Sequence, residues 1–206
     1  MTKEKRAELL LDHYKDTFQL TLYHWKARNR LFLFILILLA LMALDFYSPN
    51  AISRWVNAFI TQNLGQDVPT LDFEIMGTVM IFLLLTLVIE YYKRSINVDR
   101  QYRYLISIEE SICDAMDGDY IAREGKSYFS RTGVPETDGK NRRPIYLRCV
   151  GPLYTYFFPV ILILLLGYKI YHDFPPIKIT AALNTIFSLL IIVYNFLYLV
   201  WALRKK

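Results

Sequence analysis

The sequence predicts an all-α membrane protein with four transmembrane helices in two hairpins and with helical extensions on the cytoplasmic side. Hydrophobic residues make up 54% of the 206 residues and the mean hydropathy is +0.25, which is unusual for a soluble domain of this size. Four stretches are apolar over about 20 residues, the length that a helix needs to cross hydrocarbon. An aromatic content of 16%, with only 8 Gly and 8 Pro, excludes disordered and collagen-like chains.

The four predicted spans differ in whether they contain charged residues and in where those residues lie. In chain order they are 31–47, 73–92, 149–171 and 179–203. Residues 149–168 and 179–203 contain no charged side chain. Asp45 lies near the end of the first span, and Glu74 and Glu90 lie near the two ends of the second. Charges at these positions reach the headgroup region, so all four stretches remain compatible with a bilayer.

The distribution of Lys and Arg predicts the orientation in the membrane. Residues 1–30 carry 7 of the 24 basic side chains, residues 93–148 carry 11 and residues 204–206 carry 3, so only 3 lie in the loops 48–72 and 172–178 or at their borders. Basic residues accumulate on the cytoplasmic side of a membrane. We therefore expect a multi-pass membrane protein with both termini and the 93–148 segment in the cytoplasm.

Two cytoplasmic segments carry apolar side chains at helical spacing. In the N-terminal helix, over residues 1–30, this stripe consists of Ala7, Leu11, Tyr14, Phe18, Thr21 and Trp25. In the stalk that follows the second span it consists of Ser95, Val98, Tyr102, Leu105, Ile112 and Met116, with Glu109 filling one position. The stripes predict helices that pack on each other within one chain. The alternative is that they pair between subunits or dock a soluble partner.

The rest of the 93–148 segment is predicted to be a basic cytoplasmic loop. Gly and Pro are frequent in 118–144, which favours turns. A phosphate-binding loop around Lys126 is excluded because its first glycine would have to replace Tyr120. Six basic side chains of this region are candidates for contact with a cytoplasmic partner, an anion such as a nucleotide, or lipid headgroups. They are Arg123, Lys126, Lys140, Arg142, Arg143 and Arg148.

The outer loop over 48–72 is predicted to contain a short amphipathic helix. Ser48 and Pro49 form a helix-start pair. The apolar face that follows comprises Ile52, Trp55, Val56, Phe59 and Ile60. Such a helix lies flat among the outer headgroups, or it forms a surface that senses something arriving from outside.

Polar side chains recur on one face of the fourth span. They are Asn184, Thr185, Ser188 and Asn195. Polar groups in a membrane helix normally face protein or water rather than lipid. Three interpretations remain open: packing within the four-helix unit, a subunit interface, or the lining of a pore.

The sequence offers little for catalysis. His13 and His24 precede the first span and His172 lies on the opposite side of the membrane, so no His pair can share a metal. Cys113 sits on a helix next to Ile112, and no span carries a charge at its centre. We therefore expect no enzyme, no catalytic residue, no metal and no cofactor. The net charge of +5 follows from the topology, so no nucleic-acid partner is expected.

Several short blocks, most of them in the cytoplasmic segments, resemble segments of uncharacterised bacterial four-span proteins. These blocks are 13–18, 28–32, 100–105, 123–128 and 157–159. The architecture is also similar to that of membrane subunits of antiphage defence systems, such as the Kiwa membrane component and the SLATT-type effectors. This resemblance implies a bacterial inner-membrane protein that acts in antiviral defence as a homo-oligomer with a cytoplasmic protein partner. It assigns no role to any single residue.

Two functions fit these expectations. The first is a non-enzymatic sensor or scaffold that registers a disturbance of the envelope and holds a cytoplasmic effector, which the long 93–148 segment favours. The second is an oligomeric effector that forms a pore or disrupts the membrane when its cytoplasmic region is triggered. The polar residues of the fourth span favour the second function.

Overall fold

The computed structural model describes residues 3–47, 54, 58–62, 73–116, 152–172 and 178–204. All regular structure within these ranges is helical. The main helices are α1 (Lys3–Tyr47), α2 (Phe73–Ala115), a π-helical turn (Leu153–Phe157), α3 (Phe158–His172) and α4 (Ile179–Arg204), and residues 58–62 form a short helical segment. Four helical stretches are long and apolar enough to cross a membrane, the third of them being the π turn together with α3. The chain is thus an all-α, multi-pass membrane protein.

Helices α1 and α2 each combine a predicted cytoplasmic helix with a predicted span. They contain 45 and 43 residues, more than twice the number that the hydrocarbon core requires. Helix α1 has neither Gly nor Pro, and α2 has only Gly77. Because no residue in the junctions at Arg30 and Tyr92 breaks a helix, each polar segment continues directly into its apolar neighbour.

The chain divides into two compact units, and the division falls inside α1 and α2. Unit 1 comprises Met1–Arg30 and Tyr92–Gly151, and unit 2 comprises Leu31–Tyr91 and Pro152–Lys206. Unit 1 therefore contains the polar portions of the two long helices. Unit 2 contains the apolar portions together with α3 and α4.

In unit 1 the two helices form an antiparallel pair, which we call the helix pair (3–30 with 92–116). Later residues of α1 contact earlier residues of α2: Tyr14 bonds Glu109, and Thr21 bonds Gln101. The core of the pair is formed by Tyr14, Val98, Tyr102, Leu105, Ile108 and Ile112, with Leu10, Leu11 and Phe18 packed against it. The two predicted stripes thus pack on each other within one chain. Only their outermost residues differ, since Trp25 and Met116 are exposed.

Unit 2 has an apolar core to which its described helices contribute. Its fully buried side chains include Ile35 from α1, Leu84 from α2, Leu162 from α3 and Ile191 from α4. Most remaining apolar side chains of these helices point outward, as expected for surfaces in contact with lipid. Each helix therefore buries only a narrow stripe of its side chains inside the unit.

Aromatic rings gather at one place in unit 2. The Phe32 ring lies 4.7 Å from the ring of Tyr154, 5.1 Å from Phe158 and 5.8 Å from Tyr91, measured between centroids. The rings of Tyr91 and Phe158 are 5.7 Å apart. Edge-to-face and tilted pairs of this kind each contribute about 0.5–1.5 kcal/mol beyond their buried area. The cluster therefore fixes α1, α2 and the π turn together.

The π-helical turn precedes Pro159, and the proline explains it. The backbone N–H of Phe158 donates to the carbonyl of Leu153, five residues earlier. A proline in a regular α-helix has no N–H to donate, and its ring collides with the carbonyl four residues before it, here that of Thr155. Widening the helix by one residue per turn moves that carbonyl away from the ring.

Candidate functional site

The polar side chains of α4 are the first candidate site, and they belong to a helix with one buried face. The buried residues of α4 recur at steps of three and four: Ser188, Ile191, Asn195, Tyr198 and Ala202. Ser188 and Asn195 are almost completely shielded, at 1% and 0% exposure. Exposed apolar residues occupy the opposite face of the same helix. The polar stripe therefore faces the interior of unit 2.

Two of these polar residues are bonded to their own helix. The Thr185 hydroxyl donates to the carbonyl of Ala181 over 2.9 Å, and the Asn195 amide donates to the carbonyl of Ile191 over 2.6 Å. Side-chain donors in membrane helices commonly use the carbonyl one turn earlier, because no water can take its place. These two bonds let Thr185 and Asn195 be buried at low cost.

Asn184 and Ser188 are different. The side-chain oxygen of Asn184 and the hydroxyl oxygen of Ser188 are both buried, one helical turn apart, and neither has a hydrogen-bond partner among the described residues. An unpaired buried polar atom costs about 1–3 kcal/mol, so the pair is a local weakness in the packing of α4. Within the predicted stripe, Asn184 and Ser188 are therefore the two residues whose buried oxygens are left to form a hydrogen bond with another group.

The second candidate site is the polar seam of the helix pair in unit 1. The Tyr14 hydroxyl donates to Oε1 of Glu109 over 3.1 Å, and Glu109 is completely buried. The Thr21 hydroxyl, also completely buried, lies 2.9 Å from Oε1 of Gln101 and 2.8 Å from the carbonyl of Thr17. Buried polar pairs of this kind specify register, because a shift of one helix leaves each partner unsatisfied. The seam therefore fixes how the two helices align.

The third candidate site is a cation held at the end of the helix pair that continues into unit 2. A guanidinium nitrogen of Arg94 donates to Nδ1 of His24 over 2.7 Å, and its guanidinium carbon lies 6.0 Å from the Tyr23 ring centroid. Burial, and to a smaller extent the charge of Arg94, lower the pKa of His24. His24 is therefore neutral at physiological pH, and it orients Arg94 without opposing its charge.

An exposed apolar stripe on α1 is the fourth feature of interest. Leu9, Leu20 and Tyr23 are 56%, 47% and 61% exposed, and their spacing places them on one face of the helix. We call these three residues the outer stripe of α1. His13 lies between them and bonds the Tyr104 hydroxyl over 2.8 Å. Exposed apolar residues on a segment rich in charge are candidates for protein contact.

The remaining predicted site residues are only partly within the described ranges. Of the outer amphipathic surface, Phe59 is exposed and Ile60 is partly buried, both in a helical segment over 58–62. Ile52, Trp55 and Val56 lie outside the described residues, as do the basic loop residues Arg123, Lys126, Lys140, Arg142, Arg143 and Arg148. Their role as contacts for a partner, an anion or lipid stays a prediction.

Within the described ranges, no three His, Cys, Asp or Glu side chains lie close enough to hold a metal ion. No protein-family model, curated protein or solved structure matches the chain.

Sequence reasoning missed Glu109 and His24 as site residues. The signal for Glu109 was present, since it is the one acid within an apolar stripe. His24 and Arg94 are 70 positions apart, and only the register of the helix pair brings them together.

Proposed function

We propose that this chain is a non-enzymatic scaffold of the bacterial inner membrane, which holds a soluble cytoplasmic partner on its helix pair and works in antiphage defence as a homo-oligomer. The observation that carries the proposal is the register-fixed helix pair with its buried Tyr14–Glu109 bond. A pair held in one alignment presents its outer residues in a constant arrangement, which is what a docking surface requires.

The outer stripe of α1 is the proposed docking surface. The surroundings of Leu9 are acidic, because residues 3–16 and 104–116 together contain seven Asp and Glu against four Lys and Arg. Leu20 and Tyr23 lie beyond this acidic portion, in 17–30. Charge complementarity around Leu9 therefore indicates a protein partner that places basic residues beside an apolar contact.

The similarity of the four-span architecture to membrane subunits of antiphage systems supports the biological setting. In this setting the membrane unit anchors the complex and responds to a disturbance of the envelope, and the helix pair keeps or releases the effector. Both termini and the 93–148 segment would then face the cytoplasm, in keeping with the bias of basic residues.

The test is affinity purification from the native host in mild detergent, with stoichiometry and bound proteins measured together. We expect a soluble partner to co-purify with the unaltered chain and to be lost with Leu20→Glu. Gln19→Glu, an equal change of charge at the neighbouring exposed position, should retain it. A monomer without a partner, or equal capture by both variants, contradicts the proposal. Resistance to phage infection should follow partner capture across the same variants.

The second candidate function is an oligomeric pore or membrane-disrupting effector, triggered through the cytoplasmic region. The unpaired oxygens of Asn184 and Ser188 favour it, because a rearranged α4 could offer them to water. Expression of the chain alone should then depolarise cells, and replacement of Asn184, Ser188 and Asn195 by Leu should abolish the conductance. Depolarisation by the unaltered chain without its partner would contradict the scaffold.

A further inference from the structure

Charge is distributed unevenly along the helix pair. The portion next to the membrane-spanning segments, formed by 17–30 and 92–103, contains seven basic side chains and one acid. The basic residues are Lys26, Arg28, Arg30, Lys93, Arg94, Arg100 and Arg103. The acid is Asp99, which is buried and pairs with Arg103 over 3.5 Å. The far portion, formed by 3–16 and 104–116, carries the opposite excess.

The antiparallel pairing brings the basic residues of both helices to the same end. Thr21 bonds Gln101 and His24 bonds Arg94, so α1 around Lys26 runs beside α2 around Arg94. Within these segments the one acid is the buried Asp99, and Glu90 lies two residues before the second segment, one turn from Arg94. Seven basic side chains against these two acids leave an excess of positive charge, and an anion beside them reduces the repulsion among the cations.

This basic end adjoins lipid by chain connectivity. Residue 30 is followed directly by the first apolar segment, and residue 92 is preceded directly by the second. The exposed indole of Trp25 and the exposed ring of Tyr23 accompany the cations, and such amphipathic aromatic side chains prefer the headgroup level. The anions that occur at that level are the phosphates of acidic phospholipids.

We infer that the basic end of the helix pair is a binding site for the headgroups of anionic phospholipids, with Arg94 as its fixed centre and Lys26, Arg28 and Arg30 around it. His24 orients the Arg94 guanidinium, which suits a group that must meet a phosphate in a defined direction. Tyr23 belongs both to this end and to the outer stripe of α1, whereas the cations proposed to hold the headgroup lie outside that stripe.

Trp25 provides a built-in reporter for the test. The protein contains three Trp, so Trp55→Phe and Trp201→Phe leave Trp25 as the single indole. This background is reconstituted into phosphatidylcholine vesicles containing about one fifth phosphatidylglycerol. Two preparations are made: in one the phosphatidylglycerol carries brominated acyl chains, and in the other the phosphatidylcholine does. Brominated chains quench the fluorescence of a nearby indole. The ratio of quenching by the two lipids measures the local preference for the anionic one.

Two matched charge variants decide the outcome. Lys26→Gln, Arg28→Gln and Arg94→Gln remove three cations from the basic end, whereas Lys3→Gln, Lys5→Gln and Lys15→Gln remove three from the far portion. We expect phosphatidylglycerol to quench Trp25 several-fold more than phosphatidylcholine does. This preference should disappear in the first variant, persist in the second and weaken above about 0.5 M salt.

Several results would overturn the inference. These are no preference in the unaltered background, an unchanged preference in the first variant, or an equal loss in both. An equal loss would show that net charge alone attracts the lipid. Circular dichroism checks that the first variant keeps its helical content. If the first variant loses helical content, Arg94→Lys replaces it, because this change keeps the charge but removes the forked donors of the guanidinium. Arg94→Lys should show an intermediate preference for phosphatidylglycerol. A full or absent preference in that variant would contradict the site.

Discussion

The Tyr14 hydroxyl donates a 3.1 Å hydrogen bond to Glu109 in the centre of the helix pair, across 95 positions of the sequence. A carboxylate with no exposed surface depends on such a donor, because its burial without one costs several kcal/mol. The bond therefore couples the alignment of α1 and α2 to the stability of unit 1.

Tyr14→Phe should loosen the helix pair. It removes the donor while keeping the ring, so we expect a loss of about 1–3 kcal/mol. Cys113, one turn beyond Glu109 and half-buried, reports opening through its rate of alkylation in a Cys149→Ser background. The rate should rise about tenfold for each 1.4 kcal/mol lost. Tyr104→Phe is the control, since it removes the exposed bond to His13, and an equal effect of both changes would contradict the buried role of Tyr14.

The helix pair should weaken as the pH falls. The pKa of His24 is lowered in the folded pair, by burial first and by Arg94 second, relative to an ordinary value of 6.5. The opened pair then binds more protons than the folded one, so the stabilisation is complete above pH 6.5 and is lost as the pH falls through and below that value. Hydrogen exchange of the α1 amides between about pH 5 and 8 should show this loss.

Two substitutions check the cause of that pH dependence. His24→Gln should remove its part of the slope, and Arg94→Gln should raise the pKa of His24 toward its ordinary value, as seen by side-chain NMR. A slope that is identical with and without His24 would show that other groups titrate instead.

Ile191→Ala should destabilise unit 2 much more than Ile186→Ala. Both residues are isoleucines of α4, but Ile191 is completely buried whereas Ile186 is 52% exposed. Truncation of a packed isoleucine costs about 2–5 kcal/mol because a cavity remains, while at a lipid-facing position acyl chains fill the space. Thermal unfolding in detergent micelles measures both changes. Equal effects would mean that the buried face of α4 is assigned incorrectly.

Ser188→Ala should leave the unfolding midpoint unchanged or raise it. The change removes a buried hydroxyl that has no partner among the described residues, whereas Thr185→Val removes a hydroxyl bonded to Ala181 and should be neutral or slightly destabilising. A marked loss of stability with Ser188→Ala would reveal a partner for the hydroxyl in the assembled protein. That outcome would favour the subunit interface over packing within one chain.

Reporter fusions at the two ends should give the same cytoplasmic signal. Four spans return the chain to its starting side, and 21 of the 24 basic residues lie in the three segments assigned to that side. A reporter inserted within 118–144 should agree with them, and one inserted within 48–72 should not. Reporters at the ends that disagree would require an odd number of crossings.

Periodicity in the sequence was sufficient to predict the helices and most of their buried faces. Ala7, Tyr14 and Thr21 on α1 are buried, as are Val98 and Leu105 on α2, because a step of three or four residues keeps side chains on one face whatever they pack against. Hydrophobic length likewise predicted the four spans. Periodicity and hydrophobic length are properties of one helix at a time, so they can be read directly from the sequence.

Contacts that depend on how two helices align could not be predicted from the sequence. The bond between His24 and Arg94 requires the register of the helix pair, which no local pattern in either helix encodes. The exposure of Trp25 and Met116 depends on where the facing helix ends its contact. The π turn before Pro159 could be predicted in part, because a proline near a helix start indicates a departure from regular α-helix but does not specify which kind.

The opposed charges along the helix pair also limit how neighbouring copies can meet. Molecules inserted in one membrane share an orientation, so two of them approach with like ends side by side. The basic ends of their helix pairs then repel each other. At 0.1 M salt, dissolved ions largely screen such repulsion between charges more than about 10 Å apart, and this distance shortens as the salt concentration rises. Copies should therefore approach each other more easily in the bilayer at higher ionic strength. An assembly held by ion pairs between subunits would respond in the opposite sense.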